Sequence, residues 1–194
     1  LHKAIRRQRQ MCIRDRVCAD EWAENVDNNA FTNAAARLNL EYATRAAQEL
    51  GLSADTAWQY IASRLVFTKM KNGVTREHDS YKGQHIKQAD VNLLAYPLKL
   101  ITDSVQIKLD LEYYSQKVPD TGTPAMTQAV FALLYARLGD QKKAGYWFRE
   151  AYEPYLLPPF RVMAETKGGT NPYFLTGAGG VLQAIIYGCL LYTS

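Results

Sequence analysis

Cysteine and histidine are scarce. The 194-residue chain has three of each. Cys12, Cys18 and Cys189 follow neither a disulfide framework nor the spacing of a metal knuckle. His2, His78 and His85 are not at ligand spacing and no HExxH occurs, so no metal is expected. A G-x-S-x-G elbow is missing, which argues against serine chemistry of the α/β-hydrolase type. The run Gly177-Ala-Gly-Gly180 lacks the Walker A lysine. Close backbone packing is the expected use of those glycines, and no cofactor is expected. No internal repeat is visible, which argues against a regular repeat array. No convincing strand alternation appears either.

An excess of positive charge is also missing once the first residues are set aside. The formal charge is +4, but six of the 23 bases (Lys3, Arg6, Arg7, Arg9, Arg14 and Arg16) lie in residues 1–16 with one acid, Asp15. The rest holds 17 bases against 18 acids by subtraction from the totals of 23 and 19. No nucleic-acid footprint is therefore expected. Residues 1–16 lack the continuous apolar core of a signal peptide. Both they and residues 190–194 read as non-native, and the natural protein is expected to be longer at both ends. No residue after Lys167 is charged. Phe174–Thr193 is long enough for a membrane span, yet Gly177, Gly179, Gly180 and Gln183 fit a glycine-rich turn feeding a buried helix better. No membrane partner is expected.

What is present is helical periodicity. Apolar spacing predicts helices over Asn33–Leu50, Ser53–Met70, Gln88–Leu100, Asp103–Tyr114, Thr123–Leu138, Gln141–Tyr155 and Val181–Cys189, about seven in all. Ser53 reads as a cap, and Thr123-Pro124 as a cap before proline at the first helical position. Lys71–Gly83 reads as a polar loop. Helices joined by short turns stack as hairpins or close into a toroid. We expect an all-α fold, a single closed or half-closed toroid with its core over residues 17–189.

Asp20–Asn33 is the densest polar stretch, with acids and asparagines interleaved with Trp22 and Phe31. Such a mixture suits a carbohydrate site, where amides and carboxylates bond hydroxyls and aromatic faces pack on a sugar ring. It equally suits a capped helix start. Lys87-Gln88-Ala-Asp90 opens an apolar segment, as a helix cap or as donors to sugar hydroxyls. Glu165 follows an apolar run and precedes a glycine loop, as an exposed loop residue or as a positioned base.

Taken in this order, the segments resemble glycoside hydrolase family 65, over about residues 18–189. That family contains inverting phosphorylases of maltose, trehalose and kojibiose, and hydrolases such as acid trehalase and kojibiose hydrolase. Asp20-Glu-Trp-Ala-Glu-Asn-Val-Asp-Asn-Asn-Ala-Phe-Thr-Asn33 is similar to the segment around the family's catalytic acid. The resemblance implies Glu21 as general acid, Trp22 as its aromatic companion, and Lys87-Gln88 as the sugar-binding pair. It places Thr123-Pro-Ala-Met126 and Phe174–Gly188, with Thr176 as a substrate contact, on later barrel helices. The implied fold is an incomplete (α/α)6 toroid, the C-terminal part of a glycosidase barrel acting on an α-linked glucoside. Phe174 stands roughly where the phosphorylases carry a histidine, although Thr121 and Thr123 could supply hydroxyls. Arg161-Val-Met-Ala-Glu165 resembles the hydrolase branch and implies Glu165 as general base.

Hydrolysis is therefore expected over phosphorolysis. The acid role requires a protonated Glu21, and burial against Trp22 beside Asp20 and Glu24 is expected to raise its pKa. The competing class is a non-enzymatic helical-repeat module, which the Leu138-Gly-Asp140 turn would suit but which leaves the Asp20–Asn33 cluster unexplained.

Overall fold

The computed structural model describes residues 18–190. The expected leader over residues 1–16 lies outside them, as do residues 191–194 of the expected tail. Helix dominates, as the periodicity implies. The α-helices are α1 Ala30–Glu49, α2 Thr56–Ala62, α3 Ser104–Tyr114, α4 Thr127–Arg137, α5 Gln141–Tyr152 and α6 Leu175–Gln183. No helix among the described residues is long and apolar enough to cross a membrane.

Local chemistry sets most of the boundaries. Asn29 accepts from Thr32 N–H at 2.8 Å and opens α1, Asp103 accepts from the amides of Val105 and Gln106 at α3, and Asp140 accepts from Lys143 N–H at α5. Gly139 turns α4 into α5 with φ +79°, a conformation glycine adopts without steric cost.

α4 is the centre. It buries Ala129, Phe131, Ala132, Leu133, Leu134 and Tyr135, so it is apolar nearly all round. Its neighbours are Leu111 of α3, Ala151 of α5 and Ala184 just after α6. The Phe131 and Trp147 rings meet edge to face at 5.1 Å. Each large side chain buried here contributes roughly 1.5–3 kcal/mol. A second core lies beneath the loop between α2 and α3, where Val74, Tyr81, Ile86, Val91 and Leu94 pack on Ala30, Ala34 and Tyr114.

Several expectations are corrected. Ser53–Met70 is helical only over Thr56–Ala62, with Asp55 rather than Ser53 as the cap. Gln88–Leu100 forms only a 3-10 turn over Val91–Leu94, because Pro97 has no amide to donate and disfavours helical Tyr96. Thr123-Pro124 is a turn ahead of α4, which starts at Thr127. Two strands were not expected: β1 Leu156–Leu157 pairs antiparallel with β2 Val162–Met163. The last helix starts at Leu175, so Gly177, Gly179 and Gly180 lie within it rather than in a turn before it. It continues as π-helical turns over Ala184–Leu190. Nor is it fully buried: Leu175 and Leu182 are exposed on the face turned away from α4.

Gly177 and Gly180 of α6 do serve close packing, whereas Gly179 has nothing within 4 Å of an added Cβ. A Cβ on Gly177 would lie 2.4 Å from the Ala125 carbonyl oxygen, and one on Gly180 would lie 3.2 Å from Ala129 Cβ. α6 is thereby seated against the start of α4.

Candidate active site

The loop before α1 carries the first group of candidate residues. Ala23 N–H closes a turn onto Asp20 O at 3.0 Å, which throws Glu21 and Trp22 outward, both exposed. Asn25 and Asn28 take the left-handed conformation at φ +53°, which asparagine tolerates better than most residues. The amides of this stretch are occupied structurally. Asn28 donates to Asp79 at 2.6 Å, Asn29 donates to Asp90 at 2.9 Å, and Asn33 donates to Val66 O at 2.9 Å. The capped-helix reading thus accounts for these three asparagines, and Glu21, Trp22, Glu24 and Asp27 are left exposed.

Lys87 Nζ donates to Glu21 Oε2 in an ion pair. That hydrogen bond, reinforced by the ammonium charge, holds the Glu21 carboxyl below the usual carboxylate range. The expected upward shift from burial against Trp22 is not what the structure has, because Glu21 projects from the turn and Trp22 is 51% exposed. Gln88, next in sequence, is buried, and its side-chain oxygen receives no hydrogen bond. A buried acceptor without a donor costs about 1–3 kcal/mol, and a ligand hydroxyl would satisfy it.

Behind this pair lies a buried group of carboxylates whose importance the sequence did not reveal. Asp20, Glu77 and Asp90 are each 1–2% exposed. Asp20 Oδ1 accepts from Trp22 N–H at 3.1 Å and from Lys87 N–H at 2.8 Å, so one carboxylate holds both the Glu21 turn and the Lys87 loop. Asp90 accepts from Asn29 and from Phe31 N–H, and burial pushes its carboxyl up to about 6. Glu77 is pushed up to about 10 by burial, then by the charges of Asp90 and Asp20. The Cys18 thiol beside them is pushed up to about 12, mainly by burial. Glu77 sits in the segment read as a polar loop, and nothing in its spacing signalled a buried acid.

Glu165 follows β2. Asn171 Nδ2 donates to Glu165 Oε2 at 2.8 Å, and the two residues also join by Glu165 N–H to Asn171 O at 3.0 Å. Asn171 was not anticipated. Thr176 is exposed in the first turn of α6, and Thr121 is exposed. Thr123 is buried and donates its hydroxyl to Pro119 O at 3.2 Å.

The two loops meet at the start of α4. Ala89 N–H donates to Thr127 Oγ1 at 2.9 Å, and Ala125 N–H donates to Glu165 O at 2.8 Å. A seam of contacts therefore links Glu21 through Lys87, Ala89, Thr127 and Ala125 to Glu165. It joins segments that are 144 positions apart.

This arrangement of acid loop, Lys-Gln pair and late glutamate can be compared with known proteins. Residues 2–85 match the family model described as the glycosyl hydrolase family 65 central catalytic domain. The chain is 63% identical over 176 residues to a kojibiose hydrolase of Flavobacterium johnsoniae, covering 91% of this chain and 26% of the relative. The chain belongs to glycoside hydrolase family 65. A kojibiose hydrolase of Mucilaginibacter mallensis is 60% identical over 179 residues, covering 92% of this chain and 26% of the relative. This family 65 chain thus spans about a quarter of the length of the curated relatives it matches. Its fold is similar to that of a solved structure from the human microbiome named for kojibiose phosphorylase. The TM-score is 0.67 at 16% identity, covering 87% of this chain and 28% of that one.

Proposed function

We propose that the protein is an inverting glycoside hydrolase that cleaves an α-glucosidic disaccharide or conjugate, with Glu21 as general acid and Glu165 as general base. The observation that supports this reading is the run of contacts at the start of α4, through which the segments carrying Lys87, the partner of Glu21, and Glu165 are linked. The chain is then the C-terminal part of an (α/α)6 toroid, and closure of that toroid completes the pocket. The relatives named for kojibiose hydrolysis point to kojibiose as the first substrate to test.

The chemistry asks different things of the two acids. Glu21 must carry a proton to give to the departing glycosidic oxygen. Lys87 opposes this in the open site by stabilising the carboxylate. An arriving sugar would engage Lys87 and the unpaired Gln88 oxygen with its hydroxyls. That draws the ammonium off Glu21 and removes water around it, and both effects raise the Glu21 pKa at the moment it must act as an acid. Glu165 must take a proton from water on the far side of the ring. Asn171 orients one of its oxygens and leaves the other without a partner among the described residues. Trp22 offers an exposed aromatic face to the sugar, and Thr176 offers a hydroxyl. Inversion needs room for the water, so the carboxyl groups are expected roughly 6.5–9.5 Å apart in the complete site. Hydrolysis is favoured over phosphorolysis because Phe174 stands where a phosphate-binding histidine is expected and the Thr123 hydroxyl is already spent on Pro119 O.

The test is the full-length gene product, assayed on kojibiose and other α-linked glucosides with and without inorganic phosphate. Glucose release independent of phosphate, appearing first as the β-anomer by NMR, is expected. Early α-glucose excludes inversion, and strict phosphate dependence excludes hydrolysis. Glu165→Gln is expected to abolish hydrolysis with an unchanged circular dichroism spectrum. Full activity in that variant removes Glu165 from the mechanism.

A further inference from the structure

Glu165 has a cation close by in the chain. Lys167 follows two positions later, and two steps of the 3.80 Å Cα spacing separate them by at most about 7.6 Å. A lysine side chain spans that gap. At the other end of the seam such a pair does form, between Lys87 and Glu21. At Glu165 the partner is different. Its carboxyl takes a hydrogen bond from Asn171, and Lys167 Nζ donates to Glu150 Oε2 of α5 at 3.1 Å.

The backbone sets this direction. Thr166–Gly169 is a turn closed by Gly169 N–H onto Thr166 O at 2.9 Å. Lys167 lines a polar cavity of about 440 Å³ between α5 and the loop that follows α3, and Glu165 is not part of that lining. The titratable groups facing Lys167 there are Tyr146 and Glu150 from α5, Asp120 from the loop after α3, and His85 from the loop before the 3-10 turn. The His85 ring is engaged by Lys117 O at 2.9 Å. The side chains of Lys167 and Glu150 are 24% and 31% exposed, so the pair is partly withdrawn from water and is screened less than one on the open surface.

A general base needs a carboxylate oxygen open to the water it activates. An ammonium held against that carboxylate favours its charged form, makes it a weaker base and fills the space of the water. We infer that Glu150 is a positioning residue that draws the Lys167 ammonium into the cavity and so keeps it off Glu165. Glu150 touches no substrate and acts only through Lys167. Its effect on rate rests on the reading of Glu165 as general base; the placement of Lys167 does not.

The test uses the full-length gene product. Glu150→Gln keeps the shape of the side chain and removes its charge. In a crystal structure of that variant the Lys167 ammonium is expected within hydrogen-bond distance of the Glu165 carboxyl. kcat on an α-glucoside should fall by about fivefold or more with KM little changed, and the acidic limb of its pH profile should move to lower pH. Adding Lys167→Met to E150Q should restore kcat to within about threefold of wild type and return the limb. A purely anchoring role predicts no recovery, because the pair stays broken in the double variant. Lack of recovery, an unmoved limb, or a Lys167 that stays in the cavity of E150Q on Asp120 overturns the inference. Should E150Q not fold, Glu150→Ala read against E150A/K167M makes the same comparison. Failure of the hydrolase reading is recognised separately, as wild-type protein that releases no glucose or E165Q that stays active, and the E150Q structure still reports where Lys167 goes.

Discussion

Gly177→Ala is the sharpest perturbation of the scaffold beneath Glu165. Gly177 is buried in the first turn of α6, and an added Cβ would lie 2.4 Å from Ala125 O, 3.0 Å from Met163 Cε and 3.1 Å from Ala125 Cβ. The Met163 methyl can rotate away, but the Ala125 carbonyl is backbone and must move, or α6 must lift. Either movement reaches the site. Ala125 N–H holds Glu165 O at 2.8 Å, and Phe174 N–H holds Met163 O at 2.9 Å. Overpacking of this kind costs about 1–3 kcal/mol, and the rigid contact argues for the upper part of that range. Alanine recovers about 1 kcal/mol in helix propensity, which leaves a net loss of about 2 kcal/mol. Gly179 is the internal control: it lies in the same helix with nothing within 4 Å of an added Cβ. Gly179→Ala should therefore stabilise by up to about 1 kcal/mol. Thermal melts of the two full-length variants, with kcat measured on an α-glucoside, separate the effects. G177A should melt below wild type and lose activity, while G179A should melt at or above wild type with activity retained. A G177A protein that melts as high as G179A refutes the close contact of α6 with α4 and its coupling to Glu165.

Other consequences follow from the seam and the buried acids. Thr127→Val removes the acceptor of the buried Ala89 N–H and should cost about 1–3 kcal/mol, read as a lowered melting temperature with raised KM as the Lys87-Gln88 loop loosens; unchanged KM would detach that loop from substrate binding. Lys87→Met removes the partner that holds Glu21 low, so the alkaline limb of kcat/KM should move to higher pH even as its absolute value falls; an unmoved limb shows that Glu21 is not the titrating acid. Glu77, raised to about 10 in the folded chain, binds a proton there that the unfolded chain releases. Its contribution is full below the unfolded carboxylate range and is lost as pH rises toward the folded value, at about 1.4 kcal/mol per pH unit while only the unfolded form is ionised. E77Q should therefore gain melting temperature over wild type steadily from pH 5 to pH 9, and a pH-independent difference would contradict a protonated Glu77.

The helices legible in the sequence were those whose ends are written in local chemistry. Asp103 and Asp140 cap α3 and α5 as their side chains require, and Gly139 ends α4 where a left-handed residue is needed. The stretches that misled were apolar without being helical. Gln88–Leu100 is hydrophobic because it fills the second core, not because it winds, and Pro97 stops it. The glycines of α6 looked like a turn because helix propensity penalises them. Only the approach of α6 to α4 shows why a side chain cannot stand at Gly177.

For the site the division is similar. Residue types left Glu21, Lys87, Gln88 and Glu165 open between structural and functional readings, and the family resemblance made them candidates. Ionisation was not readable in this way, since a pKa depends on what surrounds the group in space. Sequence neighbours suggested a buried, proton-bearing Glu21, whereas packing exposes it to Lys87 and buries Glu77 instead. The sequence by itself determined which acids are available and that the frame around the loops carrying them is mostly helical. Tertiary structure alone decided which acid loses its water and keeps a proton, because desolvation is a property of enclosure by residues far apart in the chain.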